Sequence, residues 1–203
     1  MVEFLASNGN RFRIVPVIKN NFIGPKFPLP AATTKCLPGT PSAGLGIRYM
    51  EYFVPPSERV LEWIAQTYEG VLGGKVRQSD DGQSIRVVFG CSENPQFLVY
   101  SVQESVGQYT GDHLCIYVND LLGMYSRARN VMIGKENPKN VSIVWNNPCL
   151  KMKYDTVEQV KQLNEFRFKD FLNFETGEVV YQLEHEVRSL AHPGFIQGEV
   201  FLA

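Results

Sequence analysis

Residues His113 to Asp120 read HLCIYVND, and Leu121 to Met132, which follow directly, read LLGMYSRARNVM. The first run is apolar and β-branched up to Val118, at the length of a strand. Asp120 is placed to cap a helix, and Leu121, Met124, Tyr125, Ala128 and Met132 share one face at helical spacing. Further on, Val141–Trp145 (VSIVW), Phe166–Phe171 (FRFKDF) and Glu178–Val187 (EVVYQLEHEV) read as strands, with a turn at Thr176-Gly177. Asp155 stands three residues ahead of Glu158, a capping-box spacing that predicts a short extra helix before Phe166. The order is β-α-β-β-β with one insertion.

The same order occurs upstream. Ile47–Val54 (IRYMEYFV) is a strand that Pro55-Pro56 must end. Ser57 is a candidate cap for a helix with Val60, Ile64, Thr67 and Val71 on one face and Trp63 and Tyr68 at its edges. Gly70, Gly73 and Gly74 stop it. Lys75–Gln78 and Ser84–Phe89 flank Asp81-Gly82, a hairpin signal, and Phe97–Val102 is a further strand. A repeat on this scale predicts an α+β fold of two βαβββ modules, residues 47–110 and 111–203, the second with a C-terminal tail. Residues 1–46 differ. They hold Pro16, Pro25, Pro28, Pro30, Pro38 and Pro41, half of the chain's 12 prolines, and are expected to form an extended arm that packs on the body or on a partner. One short strand is expected in it, Phe12–Ile18.

Composition excludes several classes of function. The chain has 203 residues, and 20 Lys+Arg against 21 Asp+Glu leave a net charge of −1, so no global field attracts nucleic acid or an anionic membrane. Hydrophobic residues at 44% and charged residues at 20% exclude disorder throughout. The longest apolar run, Leu114–Val118, is far too short to span a bilayer. Cys36, Cys91, Cys115 and Cys149 form no CxxC pair, which excludes a sequence-local zinc knuckle and favours reduced thiols. The first residues lack the apolar core of a secretory signal, so a cytoplasmic location is the default, with an organelle address left open. No Gly-x-Ser-x-Gly occurs, and Gly70–Gly74 opens no helix, so it is not a dinucleotide loop.

The paired modules resemble the vicinal oxygen chelate superfamily of glyoxalases and extradiol dioxygenases. His113-x-x-Ile116-x-Val118-x-Asp120 is similar to that family's opening strand and helix start. Phe171-x-x-Phe174-x-Thr176-Gly177-Glu178 is similar to the turn before its last strand. The likeness runs from Ile47 to about Arg188. It implies two modules forming an open, U-shaped barrel, with a small-molecule site in the concavity and frequent homodimers. In metal-dependent members a divalent ion (Fe, Mn, Zn, Ni or Co) is held by a first-strand His and a last-strand carboxylate, and it acts as a Lewis acid on two adjacent substrate oxygens. Carried over, the likeness makes His113 the first-strand ligand and puts Tyr49 at that place in the first module. The usual carboxylate position falls on Tyr181. Glu184 and Glu186 lie further along the strand, on the opposite face from Tyr181, and reach inward only through a bulge or a register shift.

Three readings follow. As an enzyme, the chain is a divergent lyase, isomerase or dioxygenase, with His113 as ligand or base, Tyr181 and His185 assisting, and Glu184 or Glu186 completing a metal site. As a metal-free binder, it grips a flat apolar ligand with Tyr49, Tyr117 and Trp145, and Arg188 pairs with a ligand carboxylate or with a neighbouring acid. A non-catalytic interaction subunit is the third possibility, motivated by the unusual N-terminal arm. Cys115 and His113 share a strand face two residues apart, so a Cys–His dyad is geometrically allowed.

Overall fold

The computed structural model describes residues 2–5, 11–14, 49–89, 96–107, 109 and 111–195. The chain divides into two compact units, one of residues 1–48 with 90–96, the other of residues 49–89 with 97–203. In the first, β1 (Val2–Leu5) and β2 (Arg11–Ile14) form an antiparallel hairpin with Val2 opposite Ile14 and Leu5 opposite Arg11. Part of the expected strand Phe12–Ile18 is therefore β2, while β1 was not anticipated. The remainder of the expected arm lies outside the described residues, as do Cys36 and Cys91.

The second unit carries both repeats. Aromatic and β-branched residues make β3 (Tyr49–Val54), and the two prolines after it remove the donors needed to extend the ladder. Next come α1 (Val60–Gly70), β4 (Lys75–Gln78), β5 (Ser84–Phe89) and β6 (Gln96–Val102). Their sheet has the order β3-β6-β5-β4, with the first strand parallel to the last. Ser57 does not cap α1. The residue before the helix is Arg59, in the left-handed region at φ 58°, and it makes no side-chain cap. Its guanidinium instead lies 4.1 Å over the Trp63 ring and pairs with Glu62 at 2.6 Å and Glu175 at 2.9 Å.

The second repeat runs through β7 (His113–Val118), α2 (Leu121–Arg129), β8 (Val131–Ile133), β9 (Lys139–Val141), α3 (Val157–Leu163), β10 (Glu165–Leu172) and β11 (Val179–Ser189). Here too the first strand lies parallel to the last, in a sheet of order β10-β11-β7. Three local expectations are corrected. The strand expected over Val141–Trp145 is reduced to one bridge, Val144 to Phe168, because the chain first turns back in the β8–β9 hairpin. Met132 sits in β8, 55% exposed, and not on the helix face. The capping box of α3 is built by Thr156 and Gln159, one residue later than Asp155 and Glu158. Asp120 caps α2 as expected, accepting from Gly123 N at 3.0 Å.

The fold is α+β, and among the described residues none of the sheets closes into a barrel. One continuous core joins the repeats. Val54, Ile64, Val87 and Tyr100 of the first bury with Phe166, Phe168, Phe171, Leu183 and Val187 of the second. Helix α1 bridges them. Its Tyr68 ring packs 5.8 Å from Tyr100 and 5.8 Å from Phe171. Alternation along β10 and β11 sends Phe166, Phe168, Leu183, His185 and Val187 to this core. The residues between them, Glu165, Arg167, Glu184, Glu186 and Arg188, go to the other face of the sheet. Among the described residues no helix is long and apolar enough to cross a membrane.

Candidate functional site

That other face carries the candidate site. In the parallel ladder His113 stands opposite Glu184, and Cys115 opposite Glu186. In the antiparallel ladder Arg167 stands opposite Glu186, and Glu165 opposite Arg188. Alternation thus gathers five charged side chains of β10 and β11 next to the imidazole at the start of β7. Arg167 is the centre of the group. Its Nη1 lies 2.6 Å from Glu184 Oε1 and 2.6 Å from Glu186 Oε1. Its Nε donates to the Tyr154 hydroxyl at 3.1 Å and to Glu165 Oε1 at 3.3 Å. Tyr154 in turn donates to Glu165. Arg188 closes the network, reaching Glu165 Oε2 at 3.0 Å and Glu186 Oε2 at 2.7 Å, and His192 Nε2 lies 3.2 Å from Glu165.

Three carboxylates are held by two guanidiniums. Burial opposes charge on Arg167, but its hydrogen bonds to Glu184 and Tyr154 outweigh this and raise its pKa above the ordinary value. Burial likewise opposes charge on Glu165, yet the Tyr154 hydroxyl and the nearby Arg167 and Arg188 leave its carboxyl below the usual range. No buried side-chain nitrogen or oxygen among the described residues lacks a partner.

A pocket of about 470 Å³ opens on this network. Its floor is His113, Arg167, Glu184 and Glu186, and its walls are Tyr109, Trp145 and the loop Asn147–Leu150. The Lys169 ammonium lies 4.9 Å over the Trp145 ring and 5.9 Å from that of Tyr109. Tyr109 donates to Glu184 Oε2 at 3.4 Å, and burial together with that carboxylate pushes its phenol up to about 12. At this site the register slips, so that Leu183 and Glu184 of β11 together face Lys169 of β10, the two-against-one count of a bulge.

The sequence-derived candidates separate. His113, Trp145, Glu184 and Glu186 come together in the pocket, with His113 Nε2 3.8 Å from Glu186 Oε1. The expectation that Tyr181 and His185 share this cavity with His113 is corrected, because alternation along β11 turns both to the core. His185 is fully buried and stacked on Phe168 at 4.3 Å. Its Nδ1 faces the Leu183 carbonyl at 2.8 Å, so Nδ1 carries the proton and Nε2 accepts from the Tyr68 hydroxyl at 2.7 Å. Tyr68 then accepts from Tyr100 at 2.5 Å. Burial holds the His185 pKa down to about 4. Tyr181 packs on Tyr100 and Phe171, its phenol pushed up to about 12 by burial.

Tyr49 is exposed at the start of β3 and Tyr117 donates to the Gly194 carbonyl at 2.8 Å, and neither lines the pocket. Arg188 takes the structural option, pairing with Glu165 and Glu186. Burial raises the Cys115 thiol, which works against a Cys–His dyad. Arg167, Lys169 and Tyr109 were missed. For the first two the signal was present in FRFKDF, where Arg167 and Lys169 alternate with Phe166 and Phe168. Tyr109 had no local pattern.

The resemblance implies a divalent ion held by His113 and a last-strand carboxylate. The side chains here do not fit one, because the Arg167 guanidinium already lies between Glu184 and Glu186. Among the described residues no group of three or more His, Cys, Asp or Glu side chains is arranged to hold a metal ion.

No family model matches the chain, and no curated protein was found similar to it. Solved structures show a distant likeness. A lactoylglutathione lyase from Agrobacterium tumefaciens is 17% identical, with a TM-score of 0.36, over 74% of this chain and 95% of that one. A V278E mutant of glyoxalase I from Zea mays is 12% identical, with a TM-score of 0.34, over 68% of this chain and 44% of that one, so the chain spans less than half of the maize protein. An integron cassette protein from the mobile metagenome of the Halifax Harbour sewage outfall is 13% identical, with a TM-score of 0.36, over 70% and 97%.

Proposed function

We propose that the chain is a metal-independent small-molecule-binding protein of glyoxalase-like architecture, whose ligand lies in the pocket over β10, β11 and β7. The observation that carries this reading is the guanidinium of Arg167, 2.6 Å from both Glu184 and Glu186. It supplies the positive charge those carboxylates need, and it leaves neither of them free to bind an ion.

The pocket then offers an aromatic wall and a few donors. Trp145 presents a flat apolar surface suited to a planar ligand. Arg167 Nη2 makes no hydrogen bond among the described residues, while Nε and Nη1 are fully engaged. Arg167 itself lines the pocket. With the exposed imidazole of His113, it is placed to donate to an oxygen on the ligand. Lys169 carries no carboxylate partner among the described residues and adds positive charge beside the Trp145 ring.

Trp145 also supplies the test. A panel of planar aromatic acids, amides and amines is titrated into Trp63→Phe protein, which keeps Trp145 as its only tryptophan. The expected result is saturable quenching, unchanged by a chelator and accompanied by a rise in Tm that Trp145→Leu abolishes. Binding that needs added metal, or a Tm rise that survives Trp145→Leu, would reject the reading.

A further inference from the structure

Strand β4 is the outer strand of the first sheet, and among the described residues it pairs with β5 alone. At its end Ser79 N donates to the Ser84 carbonyl at 2.9 Å. Alternation from that bond turns the backbone groups of Lys75 and Arg77 toward β5 and those of Val76 and Gln78 to the open edge. We propose that this edge receives an extended acidic segment of a partner protein, which adds a strand beyond β4. Its acidic side chains lie over Lys75, Arg77 and Arg86, and its apolar side chains lie on the opposite face. The surface shares no lining residue with the pocket over β10 and β11, so the proposal stands apart from the ligand reading.

The argument is charge complementarity. Arg77 stands directly opposite Arg86 in the β4–β5 ladder, and Lys75 lies two residues earlier on the same face, turned away from buried Ile85 and Val87. Like charges directly opposite one another destabilise a sheet. All three cations are exposed, and among the described residues none makes an ion pair. Asp81, in the turn that joins the two strands, is engaged by the Ser79 hydroxyl at 2.6 Å and by Gln83 N at 3.0 Å. Cations on an edge strand guard it against self-pairing, and a second copy paired antiparallel through β4 would set Lys75 and Arg77 against themselves. Arg86 lies on the inner strand β5 and guards no edge. Carboxylates on an added strand supply the charge that all three lack. On the other face Leu61, Ala65, Val76 and Ile85 line a slot of about 400 Å³ between α1 and β4. Glu62 and Glu69 of α1 line it too, so it admits apolar side chains and repels acidic ones. The two faces therefore select a sequence in which acidic and apolar residues alternate.

The experiment uses the full chain and a fluorescein-labelled peptide with the core Glu-Val-Glu-Val-Glu. Two control peptides are the block sequence Glu-Glu-Glu-Val-Val and the alternating peptide methylated on both valine nitrogens, which then cannot donate to the edge. Fluorescence anisotropy is expected to rise and saturate with the alternating peptide, and both controls should bind at least about tenfold more weakly. Protein carrying Arg77→Gln with Arg86→Gln should lose about tenfold in affinity and much of the salt dependence. Without peptide, that variant should melt at or above the native Tm, because it loses a like-charge pair. Hydrogen exchange at the Val76 and Gln78 amides should slow when the peptide is added.

No binding of the alternating peptide at millimolar concentration overturns the proposal. Equal binding of the block or methylated peptide overturns it as well, since charge alone then draws the peptide and the edge takes no part. Affinity unchanged by the two glutamines places the peptide elsewhere. A variant that melts well below the native protein shows that Arg77 and Arg86 are held by partners within the fold, which removes the argument. Oligothymidylate that binds more tightly than the peptide and depends on the same two arginines makes the patch a nucleic-acid surface and rejects the peptide.

Discussion

Arg167 and His185 are both buried basic side chains, and the fold holds them in opposite charge states. Arg167 is charged and compensated, so removing it strands Glu184 and Glu186. Breaking one side of such a buried pair costs about 3–5 kcal/mol, and urea unfolding of Arg167→Met in chelator should show a loss of that size. His185 is neutral and its pKa is held down to about 4 by burial, against 6.5 for the free side chain. The unfolded chain therefore binds a proton that the folded chain refuses between those values. Stability is full above about pH 6.5 and falls as pH drops toward 4, by on the order of 3 kcal/mol in all. Denaturant midpoints measured across that window should show the decline, and His185→Gln, which keeps an acceptor for Tyr68 but does not titrate, should flatten this contribution.

Helix ends show how local chemistry selects element boundaries. In α3 the Thr156 hydroxyl accepts from Gln159 N at 3.3 Å, and the Gln159 side chain accepts from Thr156 N at 3.0 Å. Thr156→Ala removes half of that exchange and should lower stability by about 1 kcal/mol, read from the shift in urea midpoint. Sequence spacing located this box one residue too early, because Asp155-Glu158 and Thr156-Gln159 satisfy the same pattern. Asp155 instead accepts from Asn146 at 2.7 Å, a contact across the preceding loop that no local rule contains. The strand expected at Val141–Trp145 failed for a related reason. Its apolar, β-branched composition is real, but the β8–β9 hairpin takes its first residue and leaves only the Val144 bridge.

Across the whole body the two repeats are joined by a buried polar chain as well as by apolar packing. Tyr100 donates to Tyr68, Tyr68 to His185, and His185 to the Leu183 carbonyl. Tyr68→Phe removes the middle of that chain and leaves a buried hydroxyl and a buried ring nitrogen without partners. The expected cost is about 2–4 kcal/mol by chemical denaturation. The shared core also means that the repeats should unfold together. Trp63 reports on the first and Trp145 on the second, so Trp63→Phe and Trp145→Phe proteins should show coincident fluorescence and circular dichroism transitions. Separate midpoints would mean that the repeats are independent.

The part of the fold legible in the amino-acid sequence is the part governed by short-range periodicity. The strand expected over Ile47–Val54 and described as Tyr49–Val54, the strand His113–Val118, the α1 and α2 helices, the Asp120 cap and the β-α-β-β-β order of the first repeat follow from side-chain spacing and turn chemistry within one element. The pocket was partly legible, since His113, Glu184 and Glu186 were singled out through the family resemblance and Trp145 as an aromatic of an expected strand. Which face of β11 they share with a partner was not. That depends on pairing of β11 with β10 and with β7, the last about seventy positions away along the chain, and alternation alone does not say which face meets the core. Strand pairing turned His185 inward against Tyr68 and brought Arg167 between two carboxylates. Charge balance at that point is a property of three strands at once, and only folding brings those strands together.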